Sequence, residues 1–461
     1  MQRFFFLYTL LYILLPFPAL SQPEPANPRL IVLTDISSLS NEKGEPDDSQ
    51  SLIRLLLYGN ELDLEGLIAT SNLGHGQLIR PELIRNVIEA YGQVRPNLLL
   101  HDDNFPSVSH LNAIVKEGQP VAGPKVPLEQ SIGKGKDTEG SDWIIEVVDK
   151  EDPRPVWVAI WGGSADLAQA LWKVNATRTP DQMRKFVAKL RVHAVYDQDL
   201  TGHWIKGEFP ELFYILRHHG IRGMYRGGDT TLVRSEWVET NIRNNHGQLG
   251  NIYVNYHGGD VWSGKMGLVK GIKEGDTPSF LYLLNNGLNT PQYPDWGNWG
   301  GRFKKDDPNN NLWVEAIDQI GNYKADMDPR MASLYRWREA WQADFEARLD
   351  WCVKSFKEAN HAPRIDLISS KIGVSSGKEV QIPAPKVWDP DGDEVSYNWY
   401  FYPEVGSFQG EIPKIKKSKI KVEFTAPQVT QAETLHLILE VTDLGQPSLT
   451  AYQRHIIVVN P

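Results

Sequence analysis

The chain has 461 residues, more than one hydrophobic core usually organises, so its length predicts two or three domains. Its net charge of −10 and its pI of about 5.7 argue against a nucleic-acid partner, because phosphate backbones attract basic proteins. Fifteen Trp and seventeen Tyr residues are many for this length, and several stand beside Gly, Asn and Asp. That neighbourhood is typical of surfaces that bind a saccharide.

Residues 1–21 have the pattern of a secretory signal peptide, with a basic start, an apolar stretch from Phe4 to Leu15 and small residues before the expected cleavage point. The apolar stretch is short for a membrane span and no other segment approaches one, so membrane insertion is not expected. Cys352 is the only cysteine, which excludes an intrachain disulfide. We expect an exported, periplasmic protein, and the sequence leaves open whether it forms a dimer or a higher oligomer.

The segment from Arg29 to Asn72 predicts a strand, a polar loop, a helix and a second strand. Leu30–Leu33 is a short apolar run that suits a buried strand. Ser51–Tyr58 has the apolar spacing of a helix, and Leu64–Ala69 supplies the next strand. This order is typical of an open α/β sheet, which binds its ligands at the carboxyl ends of the strands.

Three carboxylates fall at that edge: Asp35 follows the first strand, and Asp47 and Asp48 stand where the helix begins. They repel one another unless a hard cation or several donors compensate, because removing an unpaired charge from water is costly. A bound Ca²⁺ is the simplest compensation. Alternatively, Asp47 and Asp48 only cap the helix, and Asp35 is an ordinary turn residue.

This segment resembles the N-terminal signature D-x-D-P-G-x-D-D of the inosine-uridine-preferring nucleoside hydrolases. Leu33 replaces the first Asp of the signature, and Asp35, Asp47 and Asp48 match the others across a longer loop. The stretch resembles still more closely the cellulose-binding, nucleoside-hydrolase-like proteins of polysaccharide-degrading bacteria. The resemblance implies an α/β nucleoside-hydrolase-like domain with a mainly parallel open sheet over residues 29–358.

The resemblance also implies a site. Trp161 precedes two glycines after the apolar run Pro155–Ile160, where the hydrolases offer a backbone carbonyl to calcium. Asp276 matches the carboxylate of their His-Asp-Pro-Leu motif, although Gly275 replaces the His that helps the nucleobase depart. The implied Ca²⁺ ligands are Asp35, Asp48, the Trp161 carbonyl and Asp276, with Asp35 as the catalytic base and Asp47 and Asn72 on sugar hydroxyls. The glycines and Asn72 are also compatible with plain turns.

Further candidates for substrate binding follow later strands. Phe186–Tyr196 predicts a strand ending at Asp197, and Pro210–Arg217 predicts a helix. Polar and aromatic groups near that strand end, and a Trp-rich loop beyond Asn289, could contact a sugar or could be packing residues. These candidates are Asp197, Asp199, His203, Trp204, Trp296 and Trp299.

The C-terminal part changes character. Residues 328–356 are helical, 360–363 predict a linker, and 364–461 alternate strands and turns, which predicts an all-β immunoglobulin-like sandwich. Its Asp389–Asp393 run resembles the cadherin- and polycystic-kidney-disease-like sandwiches attached to secreted carbohydrate enzymes. The run could bind calcium, but a tight turn requires the same residues and is the interpretation we favour.

The sequence is compatible with three functions. The first is a Ca²⁺-dependent glycosidase of nucleoside-hydrolase type that acts on glycosides derived from plant polysaccharides. The second is a non-catalytic, cellulose-binding protein that keeps the scaffold, and the third is a true nucleoside N-ribohydrolase. Phosphoesterase chemistry fits poorly, because few His residues accompany the carboxylates.

Overall fold

The structure, a computed structural model, describes residues 26–41, 44–71, 78–259, 267–320, 328–366, 368 and 370–461. The predicted signal peptide and Asn72 lie outside these residues. Within the described ranges, no helix is both long enough and apolar enough to cross a membrane.

An eight-stranded sheet in the order β3-β2-β1-β4-β5-β6-β10-β9 organises the N-terminal part. Each neighbouring pair is parallel except β9 and β10, so the mainly parallel open sheet predicted from the sequence is confirmed. A separate antiparallel pair, β7 and β8, lies outside it. The strands are β1 (Arg29–Thr34), β2 (Asp63–Ala69), β3 (Val115–Glu117), β4 (Val156–Ile160), β5 (Leu190–Val195), β6 (Phe213–Arg217), β7 (Tyr256–Gly259), β8 (Leu268–Gly271), β9 (Phe303–Lys305) and β10 (Leu312–Glu315).

Strand β1 is apolar on both faces because both faces are covered. Leu30 and Val32 enter one buried apolar cluster, and Ile31 and Leu33 enter another. The α-helices are α1 (Asp47–Leu57), α2 (Pro81–Leu98), α3 (Val108–Ala113), α4 (Leu128–Ser131), α5 (Glu139–Asp149), α6 (Ala165–Thr177), α7 (Pro180–Lys189), α8 (Leu200–Glu208), α9 (Ser235–Val238), α10 (Gly247–Asn251), α11 (Pro278–Leu281), α12 (Ala332–Tyr335) and α13 (Arg338–Asp350).

Two sequence assignments around β6 are wrong. The predicted helix over Pro210–Arg217 is a strand, and the helix of this region is α8, which precedes it. A short apolar run such as Phe213–Arg217 has no periodicity that separates a buried strand from a buried helix. The predicted strand over Phe186–Tyr196 is also shorter, because its first residues complete α7 and the strand begins at Leu190.

The C-terminal part contains a four-stranded sheet, β12-β19-β18-β15, and a three-stranded sheet, β13-β17-β16, which confirms the predicted sandwich. Side chains from both sheets, including Trp399, Val422 and Leu437, share one apolar core. The Asp389–Asp393 run is a turn in which Asp389 accepts two backbone N–H groups. The strands are β11 (Arg364–Ile365), β12 (Lys371–Ser375), β13 (Glu379–Pro383), β14 (Val387–Trp388), β15 (Val395–Phe401), β16 (Lys416–Lys417), β17 (Lys421–Thr425), β18 (Glu433–Asp443) and β19 (Thr450–Asn460).

The segment predicted as a linker is packed. Asn360 and His361 are buried, Asn360 Nδ2 donates to Asp443 at 3.0 Å, and the His361 backbone N–H donates to Asp391 at 2.7 Å. The two parts also share side chains, because Tyr402 and Tyr452 of the sandwich belong to an apolar cluster of the α/β part. The connection between the α/β part and the sandwich is therefore packed against the protein and is not a free linker.

Gly287 shows how closely the two parts approach each other. Its φ is +81°, and a Cβ there would lie 1.9 Å from the Tyr452 carbonyl oxygen. Gly287→Ala is therefore expected to destabilise the protein by about 2–4 kcal/mol, through the left-handed backbone and the clash. Gly135→Ala is the control, because Gly135 has a similar φ of +77° with open space around it and loses only about 1 kcal/mol. Equal unfolding midpoints in urea for the two variants would contradict this contact.

Candidate active site

The predicted carboxylates meet at the carboxyl edge of the sheet. Strand β1 ends one residue before Asp35, and helix α1 begins at Asp47 and Asp48. Asp276 lies between β8 and α11, where the chain returns to the same edge. We call Asp35, Asp47, Asp48 and Asp276 the carboxylate cluster.

The cluster is tight and mostly removed from water. One carboxylate oxygen from each of Asp47, Asp48 and Asp276 lies within 4.8 Å of the others. Asp48 and Asp276 are buried, with 6% and 3% of their surface exposed. The Thr34 hydroxyl donates to Asp48, but Asp276 Oδ2 has no hydrogen-bond partner in the described part of the chain. The protein alone therefore leaves this concentration of negative charge undercompensated.

The pKa values of these carboxyl groups reflect the lack of compensating positive charge. Burial, followed by repulsion from Asp48 and Asp47, raises the pKa of Asp35 well above its ordinary value. The same causes raise the pKa of Asp276 well above its ordinary value, against the opposing effect of Lys273. Burial raises the pKa of Asp48 to about 6. Lys273 does not neutralise the cluster, because its ammonium is paired with Glu45 and burial lowers its pKa to about 8.

A calcium ion fits these residues. Its ligands are oxygens of carboxylates and carbonyls in a flexible arrangement, and the orphaned Asp276 oxygen is such an acceptor. Asp47 lies close enough to Asp48 and Asp276 to be a third ligand of the ion. The resemblance in sequence instead assigns Asp47 to the sugar hydroxyls. Asp35 lies against the turn after β4, where a Cβ at Gly162 would come within 2.6 Å of the Asp35 Cβ. The Trp161 carbonyl accepts a hydrogen bond from Gln198 Nε2 at 2.5 Å, which leaves one lone pair for a cation.

A cleft of about 860 Å³, including its part open to solvent, lies over the carboxylate cluster. Its opposite wall follows β5 and β6 and has a different chemistry, with imidazole, guanidinium and phenol groups. These residues could not be recognised from the sequence, because the apolar run of β6 predicts a helix and its carboxyl end is then not placed at the ligand-binding edge. The missed lining residues are Ser37, Glu45, Val195, Tyr196, Gln198, His218, His219, Ile221 and Arg222.

The structure places the predicted substrate contacts just after β5 outside the lining of the cleft. Tyr196 and Gln198 line the cleft, whereas Asp197 between them forms an ion pair with Lys206. His203 is 3.8 Å from that Asp197 and does not line the cleft. Trp204 packs edge-on against Phe209, and Asp199 caps α8 by accepting the Thr201 N–H at 2.8 Å. The segment after β5 is a turn with Tyr196 at positive φ, so the direction of each side chain there does not follow from the alternation of a strand.

The structure also places the two Trp residues predicted to stack on a sugar away from the cleft. Trp299 is 2% exposed, and its Nε1 donates to the Tyr452 hydroxyl of the sandwich at 3.3 Å. Trp296 is half-buried, stacks on Tyr293 at 4.1 Å and contacts the His436 ring edge-on. Both rings hold the two parts of the protein together, and neither lines the cleft.

The fold and this buried cluster define a nucleoside-hydrolase-like α/β domain joined to a β-sandwich. Residues 29–303 match the family described as "Cellulose-binding Sde182, nucleoside hydrolase-like domain", and residues 379–459 match "Cellulose-binding protein Sde0182, C-terminal domain". The chain therefore belongs to the Sde182 family of nucleoside-hydrolase-like proteins.

A solved relative agrees with this assignment. It is a nucleoside hydrolase-related hypothetical protein from Saccharophagus degradans, described as associated with carbohydrate metabolism. It is 33% identical, with a TM-score of 0.76, and the match covers 94% of this chain and 100% of the relative. Protocadherin gamma C5 (19% identical, TM-score 0.16) matches 21% of this chain and 33% of its own, too little to support any argument. No curated protein matches the chain.

Proposed function

We propose that this is an exported saccharide-binding protein whose cleft holds a sugar against a calcium-loaded carboxylate cluster and hydrolyses its glycosidic bond. The observation that carries the proposal is the cluster itself, with three buried or half-buried carboxylates inside 4.8 Å and an orphaned Asp276 oxygen. The cellulose-binding description of the family supports a saccharide ligand. The pattern of residues 1–21 supports export.

The roles of the chain's own groups follow from their positions. Asp48 and Asp276 would hold the ion, with Asp35 and the Trp161 carbonyl beside it. When bound, calcium supplies positive charge that offsets their repulsion and polarises a water. Asp35, the carboxylate that follows β1, would act as the base that takes a proton from the attacking water. Asp47, the half-buried member, accepts hydrogen bonds from sugar hydroxyls.

The negative cluster also suits the reaction electrostatically. Positive charge develops on the sugar ring as a glycosidic bond breaks, and nearby carboxylates stabilise it. A nucleoside is a less suitable substrate, because the position of the departing-base His is Gly275. A Cβ at position 275 would contact Ile221 and Asp47 at ordinary distances of 3.6 and 3.7 Å, so packing does not require a glycine there.

Asp35→Ala is expected to abolish hydrolysis without unfolding the protein, since it removes the base at the floor of the cleft. The assay follows reducing sugar released from cello-oligosaccharides and xylo-oligosaccharides, and free base released from inosine and uridine, with calcium or with a chelator. Asp181→Ala, at an exposed position on α7, is the control and should retain full activity. Calcium-dependent release of base from inosine, with no reducing sugar released from either kind of oligosaccharide, would restore the nucleosidase alternative.

If no substrate turns over but oligosaccharides bind in a calcium-dependent manner, the protein is the non-catalytic binding alternative. That outcome would support the proposed saccharide site and contradict the proposed hydrolysis. Activity that survives in Asp35→Ala would remove the assignment of the base.

A further inference from the structure

The residue at the end of β5 has an unusual backbone. Tyr196 has a φ of +67°, and the described residues contain just one other non-glycine residue with positive φ, Asn245. Asn tolerates the left-handed region, whereas a bulky aromatic residue there is a genuine outlier. Strain of this kind persists where the surrounding structure imposes it, and it concentrates at functional sites.

The neighbouring structure imposes this conformation. The Tyr196 N–H donates to the Arg217 carbonyl of β6 at 2.8 Å, so the residue is held to the sheet. Two residues later, Gln198 is tied to the Trp161 carbonyl, and the side chain of Asp197 is tied to Lys206. The turn between these anchors directs Tyr196 into the cleft.

The Tyr196 side chain is only partly covered by the protein. Its side chain remains 43% exposed, with the His218 ring edge-on at 5.0 Å. A glycine or an asparagine would adopt the same backbone conformation with less strain. A strained residue whose ring is left partly uncovered in a cleft is accounted for by a ligand that covers the ring.

We infer that Tyr196 is a ligand-contacting residue whose ring stacks on the apolar face of a sugar unit, opposite the carboxylate cluster that holds the hydroxyls. The inference rests on the proposed function and assigns the second wall of the same cleft. A saccharide presents both a C–H face and a rim of hydroxyls, and the cleft offers an aromatic wall and an acidic wall to match them. Tyr196 therefore determines specificity.

The test compares Tyr196→Gly, Tyr196→Ala and Tyr196→Phe by urea unfolding and by calorimetric titration with cellohexaose in the presence of calcium. Gly and Ala should each weaken cellohexaose binding at least about tenfold, while Phe retains it. Tyr196→Gly should also be more stable than Tyr196→Ala, the reverse of the usual order, because it alone removes the strain. Asn245→Gly is the matched control and should not change the affinity.

The outcomes separate the two claims. If the wild type binds cellohexaose and Asp48→Asn weakens that binding, but Tyr196→Ala binds as well as wild type, the inference is wrong and the proposed function stands. If Tyr196→Ala is more stable than Tyr196→Gly, the strain that motivates the inference is absent. If the wild type binds neither cellohexaose nor cellobiose, both claims are overturned, and affinity for inosine that depends on Tyr196 would assign the ring to a nucleobase instead.

Discussion

Calcium is expected to raise the unfolding temperature more at about pH 7.5 than near pH 5. The reason is that the pKa values of three carboxyl groups in the cluster are raised. The pKa of Asp48 is raised to about 6, and those of Asp35 and Asp276 are raised well above their ordinary values. A carboxyl group whose pKa is raised by folding holds more protons in the folded protein than in the unfolded chain. Stability from these groups is therefore present at low pH and is lost as the pH rises through the folded pKa.

Calcium reverses that loss, because it binds the deprotonated carboxylates of the folded protein. An ion at about one hundred times its dissociation constant adds about 2.7 kcal/mol, which corresponds to an increase of about 3–4 °C in a chain of this length. Near pH 5 protons compete for the same oxygens, and the increase should be less than about half as large. Differential scanning calorimetry with calcium or with a chelator at the two pH values measures both quantities.

Asp276→Asn provides the control for this experiment. It should abolish the calcium-dependent increase, and at about pH 7.5 it should make the ion-free protein more stable than ion-free wild type, since it removes one of the repelling charges. An equal calcium response at both pH values, or a response that survives in Asp276→Asn, would place the ion elsewhere.

Glu274→Ala is expected to destabilise the protein by about 3–5 kcal/mol, because it leaves a buried cation without its partner. The Arg54 Nε lies 2.6 Å from Glu274 Oε2, and neither side chain has any exposed surface. Glu274 also accepts hydrogen bonds from Tyr253 at 2.5 Å and Thr277 at 2.9 Å. This network joins α1 to the loop that carries Asp276.

The double variant Arg54→Met/Glu274→Leu should be less destabilised than Glu274→Ala alone, because it removes both buried charges. Arg184→Ala, which breaks an exposed pair with Asp181 on α7, is the control and should change stability by less than about 0.5 kcal/mol. Urea unfolding curves give the three values. Glu274→Ala should also weaken calcium binding, since Asp276 is only two residues away. Similar losses for Glu274→Ala and Arg184→Ala would show that the buried network contributes little.

The acidic wall of the cleft could be predicted from local sequence. Asp35 follows an apolar strand and Asp47 opens a helix, and both features are visible within a few residues of each position. The position of Asp276 could be predicted only from the resemblance to the nucleoside hydrolases, because nothing near Asp276 in the sequence shows that the chain returns there to the same edge of the sheet. The opposite wall was missed together with β6, since a buried strand and a short buried helix have the same apolar pattern.

The surroundings of the aromatic residues could not be predicted from the sequence for a different reason. Trp299 contacts Tyr452, which is 153 positions later in the chain, and that contact covers its ring. Local sequence shows a Trp in a Gly-rich loop and does not show which other segment packs on it. Tyr196, whose side chain is 43% exposed, has no sequence feature that distinguishes it from a strand residue, because the signal is its backbone conformation.

Calorimetric titration of cellohexaose into calcium-loaded wild type, calcium-stripped wild type and Asp48→Asn tests most directly whether the carboxylate cluster forms a calcium-dependent saccharide site. Binding with one site per chain is expected for the loaded wild type, with affinity at least about tenfold weaker in the other two samples. Equal affinity in all three samples would contradict the account, because the saccharide would then bind away from the carboxylate cluster.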